Sequence, residues 1–144
     1  MIFSNEQEML DYGKELGLSI KAPAVIELVG DVGAGKTTLT RGIAEGLGIA
    51  EPVTSPSFTI VKRYPFVDSS NAQCYLAHYD FYRLPDPGIM SEDLLESIAD
   101  KNTITIVEWA NTVADVLPKN HTKITISLNE DGTRTVEVKK WNYT

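Results

Sequence analysis

AVIELVGDVGAGKTTLTRGIAEGL, residues 24–47, carries three patterns in succession, and their order decides the fold. Ala24–Val29 is a short, almost continuous apolar run, as expected of a strand covered on both faces by helices, with Glu27 as the exception. Gly30-x4-Gly35-Lys36-Thr37 follows, the spacing of a Walker A phosphate-binding loop. From Lys36 onward Leu39, Ile43, Ala44 and Leu47 recur on one helical face, and Gly48 supplies a stop. Strand, glycine loop and helix in this order aim the loop amides and the helix N-terminus at one anion.

Each residue type in the loop has a physical task. Gly33 and Gly35 admit backbone conformations closed to other residues, so the amides around Ala34 can approach phosphate oxygens with no side chain between. Lys36 reaches the β- and γ-phosphates, the Thr37 hydroxyl suits Mg²⁺, and Thr38 can add a contact near the α-phosphate. Mg²⁺ prefers octahedral oxygen coordination, so one hydroxyl and two phosphate oxygens leave room for a carboxylate. Asp80 and Glu108 both end apolar runs, Cys74–Tyr79 and Thr103–Val107. If those runs are strands parallel to Ala24–Val29, both acids open onto the phosphate loop.

Around this nucleus the chain reads as one alternation of elements without repeats. A capping box of Ser4 and Gln7 predicts an opening helix from Ser4 to about Gly17, with Met9, Leu10, Leu16 and Leu18 near helical spacing. FTIVKRY, CYLAHYD, TITIVEW and KITISL predict further strands, and RTVEVK closes a hairpin after Asp131-Gly132. Ser91 predicts the N-cap of a helix with Leu94, Leu95 and Ile98 on one face. The expected fold is α/β, a P-loop NTPase-like three-layer sandwich around a small mixed β-sheet, in one domain over residues 1–144.

Composition narrows the function. The 144 residues are 42% hydrophobic, enough for one core. Twenty acids against 13 bases give a net charge of −7, the reverse of what tight, direct nucleic-acid binding requires. The basic pairs Lys62-Arg63 and Lys139-Lys140 read as solvated strand ends, His78 as a packed strand residue, and the lone Cys74 as a reduced core thiol. An acidic N-terminus and the lack of any long apolar run point to a cytoplasmic protein with no membrane partner.

No Asn-Lys-x-Asp guanine reader occurs, which favours ATP. Only four arginines, Arg41, Arg63, Arg83 and Arg134, are present, and no lid-like insertion supports a small-molecule kinase, although that class stays open. Thr54–Phe58 (TSPSF) follows the loop helix, where a γ-phosphate-sensing switch segment would sit. A nucleotide-dependent binding module without coupled hydrolysis is therefore the other alternative.

Taken together, GDVGAGKTT at 30–38, TSPSF at 54–58, HYDFYR at 78–83 and VEW at 107–109 resemble the TsaE (YjeE) family of bacterial tRNA threonylcarbamoyladenosine ATPases, over nearly the whole chain. The resemblance implies ATP hydrolysis with Mg²⁺ in support of two partner proteins, TsaB and TsaD, with tRNA engaged only through the complex. It implies that Lys36 binds phosphate, that Thr37 and Glu108 hold Mg²⁺, and that Asp80 is needed for hydrolysis. Trp109 is implied to lie close to the nucleotide, with Glu6 and Arg134 near the adenosine. Tyr82 and Arg83 would buttress Asp80 or meet a partner, and Arg83 is also the local candidate to stabilise developing phosphate charge.

Overall fold

A computed structural model of the chain describes residues 1–56, 59–82, 84, 86 and 88–140. In order, the elements are β1 (Ile2–Phe3), α1 (Glu6–Ser19), β2 (Ala24–Val29), α2 (Lys36–Gly46), β3 (Val61–Val67), β4 (Gln73–Asp80), α3 (Ile89–Ala99), β5 (Thr103–Glu108), a 3₁₀ turn (Ala110–Val113), β6 (Thr122–Leu128) and β7 (Arg134–Lys140). The strands form a seven-stranded sheet of order β1-β7-β6-β2-β5-β4-β3. The inner strands β6, β2, β5 and β4 are mutually parallel, whereas β7 and β3 run antiparallel to their neighbours. The expected mixed sheet is borne out, and the loops after β2, β4 and β5 leave it at one edge.

Strand alternation sorts side chains into two layers. On one face Ile26, Leu28, Ile104, Ile106, Ile124 and Ile126 meet Met9 of α1 and Leu39 and Ile43 of α2. Leu39 and Ile43 are wholly buried, worth about 1.5–3 kcal/mol each in apolar area removed from water. On the other face Ala77, Tyr79 and Val107 pack with Leu94 of α3 and Val113 of the 3₁₀ turn. Helices on both sides make the third layer, as the sandwich reading expects. Cys74 is buried in the first of these clusters. Glu27, the odd residue of its strand, meets His121 Nε2 at 3.0 Å. Among the described residues no helix is long and apolar enough to cross a membrane.

Several expectations need correction. The cap of α1 is Asn5, not Ser4: its extended backbone lets Oδ1 accept from Glu8 N at 2.9 Å, and Glu8 Oε2 accepts from Ser4 N at 3.0 Å. The reciprocal box is shifted by one residue, and Gln7 instead donates to Asp11 at 2.9 Å. The helix also runs through Gly17 to Ser19. In α3, Ser91 is not the cap but donates back to the Gly88 carbonyl at 2.8 Å, and the helix starts at Ile89. Leu94 is buried beside Ser97, while Leu95, one residue and about 100° further round, is half exposed. Arg63 is no idle strand end: it pairs with Asp93 and donates to the Tyr79 hydroxyl at 2.9 Å, joining β3, β4 and α3. Burial, with the Asp93 carboxylate as hydrogen-bond partner, drives the Tyr79 phenol pKa upward, so it stays a neutral donor.

Candidate nucleotide site

The loop after β2 turns tightly, with Ala34 N donating to Asp31 O at 3.0 Å. Gly33 and Gly35 take φ of 83° and 117°, which a side chain would strain. The first intrahelical bond of α2 at this end is Leu39 N to Gly35 O, at 3.0 Å. The amides of Lys36, Thr37 and Thr38 precede it and face out of the helix N-terminus, where the helix dipole favours an anion.

Beside them lies a cleft of about 310 Å³, bounded by Glu6 and Met9 of α1, Thr37 and Thr38 of α2, and Arg134 of β7. Arg134 Nε donates to the Ala34 carbonyl at 2.7 Å, bracing the loop from a strand a hundred residues away. Glu6 Oε1 accepts from Thr38 Oγ1 at 3.3 Å and lies 3.7 Å from Arg41. Glu6, Gly33, Gly35, Lys36, Thr37, Thr38 and Arg134 therefore share one cleft. Ala34 is buried behind it.

The carboxylates come from neighbouring strands. Asp80 and Glu108 are register partners across the parallel pair β4–β5, and Leu28 pairs with Glu108 across β2–β5. Register thus carries both acids to the edge that the phosphate loop leaves. Glu108 is only 3% exposed; its Oε1 lies 3.9 Å from Lys36 Nζ and its Oε2 is in contact with His78 Nε2. Lys36 also donates to the Gly30 carbonyl, and its ammonium sits 4.0 Å from the centre of the Trp109 ring. Burial lowers the Lys36 pKa from the usual lysine value, while Glu108, Asp80 and Asp31 oppose that shift.

Asp80 is more open. Its Oδ1 accepts from Tyr82 N at 2.9 Å and its Oδ2 lies 3.4 Å from Ser55 Oγ, so the Thr54 segment touches this acid directly. Lys62 holds the same segment by donating to Thr54 Oγ1 at 2.5 Å. Ser57, Phe58 and Arg83 lie outside the described residues. Trp109 takes a left-handed backbone (φ 56°, ψ 51°), uncommon for an aromatic residue, which turns its ring back over Lys36 and against Tyr82, 4.8 Å away.

Reading by sequence alone missed one participant. His78 was expected only to pack; it is fully buried and also holds Glu108. The signal available was period two along β4, which puts His78 on the same face as Asp80, but its partner became visible only through the register with β5.

This geometry can be set beside known proteins. Residues 3–136 match the family model "Threonylcarbamoyl adenosine biosynthesis protein TsaE". The chain is 38% identical over 133 residues to a TsaE protein of Bacillus subtilis, covering 92% of this chain and 79% of that one. A TsaE protein of Nostoc is 32% identical over 147 residues, covering 100% and 87%. The crystal structure of Bacillus subtilis YdiB superposes with a TM-score of 0.77 at 30% identity, over 99% of this chain and 84% of that one. The match along nearly the whole sequence and the superposition over 99% of the chain agree, and the chain belongs to the TsaE family.

Proposed function

We propose that the protein, as a single P-loop ATPase domain, binds ATP with Mg²⁺ and hydrolyses it to support threonylcarbamoyladenosine formation in tRNA. It would act with TsaB and TsaD and meet tRNA only through them. One observation carries this reading: the N-terminus of α2, Lys36, Glu108 and Asp80 converge at the carboxyl edge of parallel strands.

The residues fit both groups. The outward amides and the left-handed Gly33, whose missing side chain would meet nothing within 4 Å, leave an open cradle for phosphate. For the cation, Thr37 offers a hydroxyl and Glu108 a carboxylate, a hard-oxygen set suited to Mg²⁺. Among the described residues no three His, Cys, Asp or Glu side chains form a cage, so phosphate oxygens and water would complete the shell. When bound, Mg²⁺ would supply Lewis-acid neutralisation of phosphate charge. Lys36 then binds phosphate, Asp80 orients the attacking water and receives its proton, and Trp109 shields the site from bulk solvent. Glu6 and Arg134 bound the end of the cleft that would take the adenosine.

Asp80→Ala tests the division of labour. ATP binding is expected to persist while phosphate release falls about 10²–10⁴-fold, the range for loss of a positioned acid–base group. With the partners and tRNA present, modification should stop after limited turnover. Wild-type hydrolysis by this variant would remove Asp80 from the chemistry. A second reading draws on the contact between Ser55 and Asp80: nucleotide could order the Thr54 segment as a docking face without useful hydrolysis. Many-cycle modification by a hydrolysis-dead variant would favour it.

A further inference from the structure

Burying a histidine is costly when one of its nitrogens finds no partner. Among the described residues His78 Nδ1 is a buried atom without a hydrogen bond, an arrangement that costs the desolvation of that nitrogen with nothing in return. The other such atom, Thr105 Oγ1, belongs to β5, whose alternation sets it on the opposite face from Glu108. A core position in need of filling would take leucine or methionine at lower cost. Something other than packing therefore accounts for an imidazole at residue 78.

Its surroundings suggest what. On β4, His78 and Asp80 point to one face; on β5, Ile106 and Glu108 point to the same face, and the register pairs His78 with Ile106. The imidazole thus sits one step deeper in the sheet than Glu108. Nε2 faces a carboxylate oxygen, which can only accept, so Nε2 carries the proton and donates to Oε2. Glu108 is then held from below by His78 and approached from the loop by Lys36, 3.9 Å from Oε1. With Oε2 turned to the imidazole, Oε1 is the oxygen that faces Lys36 and the glycine loop.

We propose that His78 is a positioning residue: its Nε2–H fixes Glu108 so that Oε1 is presented to the cation accompanying the nucleotide. This rests on the reading of Glu108 as a carboxylate of the Mg²⁺ site. Outer-sphere partners of metal ligands typically change metal affinity by about 10–100-fold. His78 is fully buried and does not line the cleft bounded by Glu6, Thr38 and Arg134, so its loss should leave metal-free nucleotide binding intact.

The test measures Mn²⁺ binding by electron paramagnetic resonance with a non-hydrolysable ATP analogue, and nucleotide binding in the presence of a chelator. His78→Leu is expected to weaken Mn²⁺ by about 10–100-fold, with chelated-state nucleotide affinity unchanged. His78→Gln, whose amide nitrogen can stand in for Nε2, is expected to restore most of the Mn²⁺ affinity. His78→Asn is too short to reach Oε2 and should show the same loss of about 10–100-fold, so it carries the test where the leucine variant does not fold. Wild-type Mn²⁺ affinity in His78→Leu or His78→Asn, alongside weakened affinity in Glu108→Gln, overturns the positioning role alone. Wild-type Mn²⁺ affinity in Glu108→Gln overturns the reading of Glu108 itself. Equal loss of metal-free nucleotide binding, unrescued by glutamine, would make His78 merely structural.

Discussion

Lys36→Ala is expected to lower phosphate release by on the order of 10²–10³-fold, the loss typical when one preorganised charge or donor is removed from a transition state. In the structure the ammonium is already inside the protein, held by the Gly30 carbonyl, Glu108 and the face of Trp109. Those contacts keep it within reach of the cleft bounded by Thr37 and Thr38. On the proposed reading, gripping phosphate would require the lysine to give up the Gly30 carbonyl and part of its Glu108 contact. Alanine loses the grip and also leaves the Glu108 carboxylate, 3% exposed, with His78 as its one remaining contact from this group. Arginine should not rescue, because its larger forked head group does not fit the buried space that the compact ammonium fills between the Gly30 carbonyl, Glu108 and Trp109. Nucleotide affinity and phosphate release, measured on folded Lys36→Ala protein, check the expectation. Hydrolysis at the wild-type rate would mean that the lysine serves Glu108 and not the phosphates.

Legibility in the sequence followed distance along the chain. The strand, glycine loop and helix were readable because their signals are consecutive, and each local signal agrees with the others. Asp80 and Glu108 were readable as candidates because each ends an apolar run, but their meeting depended on parallel pairing that only the folded sheet decides. His78 and Glu108 are 30 residues apart, and one buried histidine says nothing about what lies opposite it. The two-residue strand Ile2–Phe3 was too short to have a period. Arg63 is exposed as expected, but its pairing was hidden because its partners, Tyr79 and Asp93, lie on other elements. The left-handed backbone of Trp109 has no residue-type signal, since that conformation favours glycine or asparagine.

The opening helix was expected to end at about Gly17 but runs to Ser19, and the place of that glycine inside it yields the second large expected effect. In the structure Gly13 and Gly17 of α1 face Gly42 and Gly46 of α2, and the two backbones touch. A Cβ at Gly17 would fall 2.2 Å from the Ile43 carbonyl oxygen, and one at Gly42 would fall 2.4 Å from that of Leu10. Neither neighbour is a side-chain tip that can swing away, so the helices must part.

Gly17→Ala and Gly42→Ala are each expected to destabilise by about 2–3 kcal/mol, the upper part of the usual over-packing range. That holds although alanine is favoured over glycine by about 1 kcal/mol within a helix. Thermal unfolding should show this as a fall in Tm of roughly 5–10 °C. The cost reaches the site because Lys36 and Thr37 open α2 and Glu6 opens α1. Separating the helices widens the cleft between Glu6 and Thr38, so affinity for the nucleotide should fall with stability. Gly48→Ala separates the two causes: its φ of 83° strains alanine, but its Cβ would meet nothing within 4 Å. It should lose about 1–2 kcal/mol from backbone strain and leave nucleotide affinity unchanged. If Gly42→Ala keeps both wild-type Tm and wild-type affinity, the close crossing of α1 and α2 does not set the geometry of the phosphate loop.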